Sequence, residues 1–352
     1  MKDCLVVGQG LAGSLVAYLL HKQDKNVSVV AREGINSSRV AAGLYNPVTG
    51  RKMVRTWMAD ELFEDLEDWY GELEQELQAS FLIQRRIYRP FQSVEEQNDW
   101  EGRSADPKFR KFIRSIHRES LYPELIHDRF GGLELEQSGY LDTRVFLDAM
   151  ADYFRKNDML IQDKLEEKEL IGREGFYEWK GEQYRHVIFC EGIEARESSY
   201  FGWLPFQPLK GELVHIKTKA SFEHIVNRGV FILEVKKGEF KVGSTYNWRD
   251  PFSGPSEEGK KELLERLEQI FRSDYEVLEH YAGIRPSTKD RRPFVGEHPE
   301  KKNMWIFNGL GTKGVTLGPY FAKQFINYLV NNKALDPVVN INRYYSLYYH
   351  SF

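Results

Sequence analysis

The chain has 352 residues, of which 41% are hydrophobic and 29% are charged, and its net charge at pH 7 is -4. This composition is typical of a soluble globular protein that is long enough to form two domains. No run of lysine or arginine indicates a nucleic-acid-binding stripe, no apolar run is long enough to span a bilayer, and a strand begins too early for a signal peptide. We therefore expect a cytoplasmic protein.

Cysteine and histidine usage excludes two further classes of protein. The only cysteines, Cys4 and Cys190, both fall in apolar, strand-like segments. A disulfide framework is therefore excluded, and both side chains are predicted to be buried thiols. The nine histidines have no metal-ligand spacing, so we expect no metal site.

The first element is a short apolar strand that leads through three glycines into a helix. Gly8 permits a tight turn, Gly10 allows a backbone N–H to approach a pyrophosphate, and Gly13 lets the helix pack closely on the strand. The pattern predicts a dinucleotide site that includes Leu11 and Ala12, although a purely structural turn would look similar.

A second buried strand, residues 27–31, is predicted to end beside this site. An acidic residue at such a strand end binds ribose hydroxyls, and Glu33 follows the last glycine by about 20 residues. Because Ala31 closes the strand, Glu33 would have to reach back from the following turn, next to Arg32. The next segment, Ala41-Ala42-Gly43-Leu44, is rich in small residues, which favours contact with a planar group over a plain surface loop.

Amphipathic patterns predict three helices before the last glycine-rich loop. The first covers residues 59–77, with Leu62, Leu66, Trp69, Leu73 and Leu77 on one face. The second is capped by Asp142 or Thr143 and buries Val145, Phe146, Ala149 and Tyr153. The third is capped by Ser256, with Leu263, Leu267, Ile270 and Phe271 inward.

Residues 160–165, 168–179 and 186–190 are predicted strands, and residues 212–217, 229–235 and 239–245 predict an antiparallel sheet. Residues 93–132 show no clear pattern.

Two further segments indicate contacts with a ligand. The strand before Cys190 and Gly192 ends beside the predicted nucleotide site, where its backbone could touch a ligand or simply turn in the core. Near the end of the chain, a strand is followed by Gly309, Gly311, Thr312, Lys313 and Gly314 and then by a helix. Free amides at that helix start would face an anionic or electron-rich group.

Taken in this order, the motifs resemble the FAD-dependent D-amino-acid oxidase and glycine oxidase superfamily. The resemblance also rests on Gly139-Tyr140-Leu141-Asp142, on Pro208 to Glu212 and on Gly283-Ile284-Arg285-Pro286 with Asp290 and Pro293. The final loop is most similar to the oxidase half of bifunctional enzymes that modify a wobble uridine of tRNA.

The resemblance implies an α/β fold, with a Rossmann-like FAD-binding domain and a mostly antiparallel α+β substrate domain. The FAD-binding domain would comprise residues 1–80, 134–207 and 276–352, and the substrate domain residues 81–133 and 208–275. It also implies noncovalent FAD, because no cysteine lies in the final loop.

The resemblance implies roles for three residues in catalysis. Arg285 would pair with a substrate carboxylate, with a surface ion pair as the alternative. Tyr246 would line the substrate pocket, as would Phe231, for which core packing is the alternative. Lys313 would lie at the pyrimidine edge of the flavin, unless it is a solvated loop lysine. Glycine oxidase has a second arginine where this chain has Thr312 and Lys313, which argues against glycine as the preferred substrate.

The implied activity is oxidation of the C–N bond of a primary or secondary amino acid, with hydride transfer to flavin N5 and hydrolysis of the resulting imine. A tRNA-modifying oxidase that removes an N-carboxymethyl group is one alternative, and it would need a basic surface beside the crevice. A noncatalytic flavin-binding subunit is another. The expected partner is a small amino acid or amine, and the sequence leaves the electron acceptor and the oligomeric state open.

Overall fold

A computed structural model of the chain describes residues 1–32, 34, 36–50 and 52–350. Its strands are β1 Lys2–Val7, β2 Val27–Ala31, β3 Leu44–Tyr45, β4 Val48–Thr49, β5 Val54–Arg55, β6 Leu82–Gln84, β7 Ile87–Pro90, β8 Ile113–His117, β9 Gly132–Leu135, β10 Gly139–Leu141, β11 Leu160–Gln162, β12 Ile171–Arg173, β13 Phe176–Trp179, β14 Glu182–Phe189, β15 Leu209–Thr218, β16 Ile225–Arg228, β17 Val230–Lys236, β18 Glu239–Gly243, β19 Tyr275–Arg285, β20 Phe294–Glu297 and β21 Met304–Asn308.

The helices are α1 Leu11–His21, α2 Ser37–Val40, α3 Ala59–Phe63, α4 Leu66–Leu77, α5 Val94–Arg103, α6 Pro107–Arg110, α7 Thr143–Lys156, α8 Glu257–Glu268, α9 Gly314–Asn331 and α10 Tyr345–His350.

The first large sheet, which we call the nucleotide sheet, contains β11, β2, β1, β14, β13 and β12 in that order, with β21 beside β14 and β20 beside β21. β11, β2, β1, β14 and β21 pair in parallel, whereas β12, β13 and β20 pair antiparallel. Parallel sheets are covered on both faces, which explains why β1 and β2 are nearly continuous apolar runs. Helix α1 packs between α9 and α7. Because β11, β2, β1, β14 and β21 run in the same direction, their carboxyl ends meet along one edge of the sheet.

The second large sheet, which we call the roof sheet, contains β19, β15, β18, β17, β16, β7, β9 and β8 in that order. All of its pairings are antiparallel except that of β16 with β7. On one face, Val214 and Ile216 pack against Leu263 and Leu267 of α8. Since side chains alternate across a strand, Leu213 points to the opposite face, toward the nucleotide sheet. The predicted α/β fold class is confirmed.

The structure corrects two helix predictions. Residues 59–77 form two helices, α3 and α4, rather than one. In α7 the buried stripe contains Phe146, Met150 and Phe154, whereas Val145 is 39% exposed. Asp142 caps this helix and fixes its start, and packing against α1 and α4 then selects the face that is buried.

The unassigned residues 93–132 contain α5, α6 and β8, and β8 pairs with β9 at the edge of the roof sheet. At the other edge, β19 extends to Arg285 and pairs with β15 over its whole length. A division of the chain by sheets would therefore place its boundary after residue 285 rather than after 275. The two-domain division remains a proposal. Within the described residues, no helix is long and apolar enough to cross a membrane.

Candidate active site

A cavity of about 2060 Å³ lies between the carboxyl edge of the nucleotide sheet and the inner face of the roof sheet. Most small-molecule pockets measure roughly 300–1,000 Å³. The cavity therefore has room for a dinucleotide and a second ligand.

The turn after β1 fits the approach of a pyrophosphate. A Cβ on Gly8, where φ is +103°, would lie 2.7 Å from the Cys190 carbonyl oxygen, and a Cβ on Gly13 would lie 1.8 Å from the Gly8 carbonyl oxygen. At Gly10 the nearest atom to such a Cβ is Ser38 Oγ at 3.4 Å. Packing thus explains Gly8 and Gly13 but not Gly10, which faces the cavity at the N-terminus of α1. The first amide of this helix, that of Leu11, donates to Ser38 Oγ at 3.2 Å. These residues fit a dinucleotide phosphate.

Most of the other predicted cofactor-binding residues also line the cavity: Gly8, Leu11, Ala12, Arg32, Ala41, Ala42, Gly43, Leu44, Cys190, Gly192, Gly309, Gly311, Thr312, Lys313 and Gly314. Gly13 is not part of the cavity wall, because its place in the helix–strand contact buries it. Glu33 lies outside the described residues. Arg32 forms an ion pair with Glu194.

Glu191 is a wall residue that the sequence did not single out. It lies between Cys190 and Gly192, at the end of β14 and next to the Gly8 turn. Burial, together with the nearby charges of Glu167 and Glu194, raises the pKa of its carboxyl to about 8. In the sequence, the only indication that Glu191 belongs to the site is its position between Cys190 and Gly192, which were both predicted to bind the cofactor.

Arg285 lies inside the cavity at the end of β19. One N–H of its guanidinium donates to Ser244 Oγ at 2.7 Å and another to the Thr245 carbonyl oxygen at 3.3 Å. The group lies so close to Gly211 that a Cβ there would be 2.0 Å from Nη2. Burial lowers the pKa of Arg285 below its ordinary value. Among the described residues, no carboxylate forms an ion pair with Arg285.

Tyr246 and Phe231 also line the cavity. The Arg285 guanidinium stacks over the Tyr246 ring at 4.8 Å from the ring centroid. Phe231 is nearly buried, and a Cβ on Gly243 would approach its ring to 3.0 Å. The structure therefore brings Arg285, Tyr246 and Ser244 together.

Lys313 approaches the cavity from the start of α9, and its Nζ lies 3.3 Å from Thr56 Oγ1. Burial, together with the charges of Arg292 and Arg291, lowers the pKa of this ammonium to about 8. The Arg292 guanidinium is 3.8 Å from the centroid of Trp57. Thr56, Trp57 and Arg292 are further wall or supporting residues that sequence analysis missed, because contacts between residues far apart in the chain leave no local pattern.

The sequence model of the FAD dependent oxidoreductase family, DAO, matches residues 3–327 of the chain. A glycine oxidase of Pseudomonas aeruginosa is 25% identical over 120 residues, which are 33% of this chain and 33% of the relative. The bifunctional protein ThiO/ThiG of Synechocystis is 21% identical over 364 residues, which cover 96% of this chain and 53% of the relative. The chain thus spans between a third and about half the length of these two relatives.

Solved structures share the fold. The glycine oxidase of Geobacillus kaustophilus has a TM-score of 0.76 at 20% identity, covering 95% of this chain and 96% of the other. The iminodiacetate oxidase of a Chelativorans species also has a TM-score of 0.76 at 20% identity, covering 97% of this chain and 98% of the other. The predicted resemblance is confirmed, and the chain belongs to the DAO family of FAD-dependent oxidoreductases.

Proposed function

We propose that this enzyme oxidises the C–N bond of a primary or secondary amino acid whose carboxylate is held by Arg285. The observation that carries the proposal is a guanidinium within the cavity that has no carboxylate partner among the described residues. The printed names of its relatives, glycine oxidase and iminodiacetate oxidase, denote enzymes acting on compounds of this kind and support the proposal.

The geometry of Arg285 explains why a carboxylate fits. An arginine side chain has five N–H donors, and acceptors within the described residues take two of them. A planar carboxylate can accept two parallel hydrogen bonds from the remaining edge of the guanidinium. Because Ser244 and Tyr246 hold the group in place, a bound carboxylate would be oriented as well as attracted.

FAD, when bound, supplies the two-electron oxidation of the C–N bond. The chain's own residues position the substrate: Arg285 holds its carboxylate, and Phe231 provides an apolar wall that excludes water. An amine that arrives neutral requires no side-chain base. Lys313, in the cavity wall at the start of α9, places a positive charge where family resemblance puts the pyrimidine edge of the flavin.

The first experiment is an absorbance spectrum of the purified protein, followed by anaerobic bleaching with a panel of amino acids and the corresponding decarboxylated amines. We expect a flavin spectrum that amino acids bleach. A flavin that none of these compounds bleaches would contradict the proposal and favour a noncatalytic flavin-binding subunit. Bleaching by an N-carboxymethylated uridine of tRNA alone would favour a tRNA-modifying oxidase.

The second experiment tests Arg285 itself. Arg285→Lys keeps the positive charge but loses the bidentate hydrogen-bond geometry. The fall in kcat/KM for an amino acid should correspond to a loss of roughly 1.5–3 kcal/mol of transition-state stabilisation. Arg110→Lys, at an exposed position outside the cavity wall, is the matched control and should change little. Equal losses for the amino acid and its decarboxylated amine would show that Arg285 does not hold the carboxylate.

A further inference from the structure

Three exposed aromatic side chains lie together at the mouth of the cavity. Tyr246 is 59% exposed, Trp248 is 49% exposed and Phe252 is 53% exposed, yet all three line the cavity wall. We call them the aromatic wall. Exposed aromatic groups clustered at a cavity mouth are typical of a binding surface.

The backbone directs two of these rings toward the same side. Asn247 pairs with Lys210 through two backbone hydrogen bonds of 3.0 Å, so the chain is extended there. In an extended chain, Tyr246 and Trp248 point to one face, and their positions differ by roughly 7 Å along the strand. Tyr246 contacts the Arg285 guanidinium, so Trp248 lies one step farther from the proposed carboxylate site.

A buried ion pair fastens the segment that carries the aromatic wall. Lys210 and Glu212 are each 1% exposed, with Nζ and Oε1 3.1 Å apart. Lys210 Nζ also donates to Ser253 Oγ at 2.7 Å and to the Gly254 carbonyl oxygen at 3.2 Å. Glu212 accepts hydrogen bonds from the backbone N–H and the hydroxyl of Ser256. A buried ion pair is not in itself a strong source of stability, but this one holds the far end of the loop in place.

The aromatic wall reaches across to the nucleotide sheet. The Arg196 guanidinium lies 5.2 Å from the centroid of the Phe252 ring. Arg196 belongs to the short 3-10 helix Gly192–Glu197 that follows β14. The loop therefore spans the cavity mouth, and a ligand entering from solvent passes its rings.

We propose that the aromatic wall binds an aromatic or similarly bulky apolar substituent of the amino acid whose carboxylate Arg285 holds. This inference rests on the proposed function and extends it to a substrate class. A substituent about as long as a benzyl group would extend from the carboxylate along Tyr246 to Trp248 and replace water on both rings. A substrate as small as glycine would leave the aromatic wall unused.

The test compares matched pairs of compounds in anaerobic stopped-flow reduction of the holoenzyme. N-benzylglycine is compared with sarcosine, and each enantiomer of phenylalanine with the same enantiomer of alanine. We expect at least one aromatic compound to show an apparent Kd at least about 10-fold lower than its small counterpart. If the compounds reduce the flavin but the two members of every pair have equal apparent Kd values, the inference is wrong while the proposed function stands.

The variant Trp248→Ala identifies the residue responsible. It should raise the Kd of the preferred aromatic compound roughly 10-fold and leave that of its small counterpart within about twofold. Tyr349→Ala, which removes a ring that is 57% exposed outside the cavity wall, is the matched control and should change neither. Unchanged selectivity in Trp248→Ala would overturn the assignment of the substituent site. The wild-type comparison does not depend on the folding of the variant.

A binding measurement without turnover separates failure of the inference from failure of the proposed function. Phenylacetate and acetate are titrated into the holoenzyme, and flavin difference spectra report binding. If phenylacetate binds more tightly than acetate and Trp248→Ala removes this difference, the aromatic wall is supported. This conclusion holds even if no amino acid bleaches the flavin, because the absence of bleaching would reject only the proposed oxidation. Equal affinity for both anions would overturn the inference.

Discussion

The three glycines after β1 are required for different physical reasons, and substitutions can distinguish these reasons. Gly10→Val meets only the Ser38 hydroxyl, so the protein should fold but lose FAD, because the side chain would occupy the approach of the pyrophosphate. Gly13→Val would collide with the Gly8 carbonyl oxygen and should destabilise the whole domain. Thermal unfolding and flavin absorbance measure both effects. A full flavin complement in Gly10→Val would show that the motif is only a turn.

Lys313 is predicted to act on the electronics of the cofactor rather than on substrate binding. Its charge should stabilise the reduced flavin by roughly 1.5–3 kcal/mol, which corresponds to about 30–60 mV for a two-electron couple. We therefore expect Lys313→Met to lower the reduction potential by that amount and to slow reduction by every substrate. The exposed Lys333→Met is the control. A potential equal to that of the wild type would identify Lys313 as an ordinary loop lysine.

Glu191 is expected to make the stability of the cofactor-free protein depend on pH. Its carboxyl has a pKa of about 8 in the folded protein, above the ordinary 4.5, so only the unfolded chain loses this proton between those two values. The free energy of unfolding should therefore fall as pH rises from about 4.5 to 8, at up to about 1.4 kcal/mol per pH unit. Urea denaturation of the wild type and Glu191→Gln measures the difference. Identical pH profiles for the two proteins would contradict the prediction.

At the scale of elements, the Lys210–Glu212 pair joins β15 to the loop that carries the aromatic wall and to α8. Lys210→Met should destabilise the protein by roughly 3–5 kcal/mol, because it leaves the buried Glu212 carboxylate without the lysine charge, with only the His280 imidazole as a basic neighbour at 2.8 Å among the described residues. The double variant Lys210→Met, Glu212→Leu removes both charges and should recover much of that stability. Chemical denaturation compares them. A double variant no more stable than the single one would show that the hydrogen bonds of Glu212 to Ser256, rather than its charge, dominate.

The helices show that the sequence predicts helix caps better than it predicts buried faces and helix breaks. The Ser256 cap was predicted and is present, and of the two predicted candidates for the cap of α7, Asp142 and Thr143, the structure has Asp142. A cap can be predicted because it is a contact between residues near in sequence. Val145 was predicted to lie on the buried face of α7, but it is exposed. The sequence could not show this, because the helices that cover the buried face are distant in sequence. The break between α3 and α4 was also missed.

At the scale of the whole molecule, the cofactor is predicted to be held without a covalent bond. Both cysteines are buried in or directly after strands, and burial raises the pKa of each thiol, so neither is poised as a nucleophile. Acid or heat precipitation should therefore release free FAD into the supernatant, where its absorbance is measured. Flavin that remains with the precipitate after washing in denaturant would contradict this prediction.

The sequence by itself determined the fold class, the family and the glycine turn, because strand–turn–helix patterns and chain-order motifs are local properties of the chain. It also singled out Arg285. Only the tertiary structure showed that Arg285 has Ser244, Thr245 and Tyr246 as neighbours and no carboxylate partner within the described part of the chain. The aromatic wall depends on tertiary structure too, since exposure of Trp248 and Phe252 at a cavity mouth results from how the roof sheet meets the nucleotide sheet. Their side chains carry no periodic pattern, and a loop aromatic becomes a candidate binding residue only when packing leaves it at the cavity.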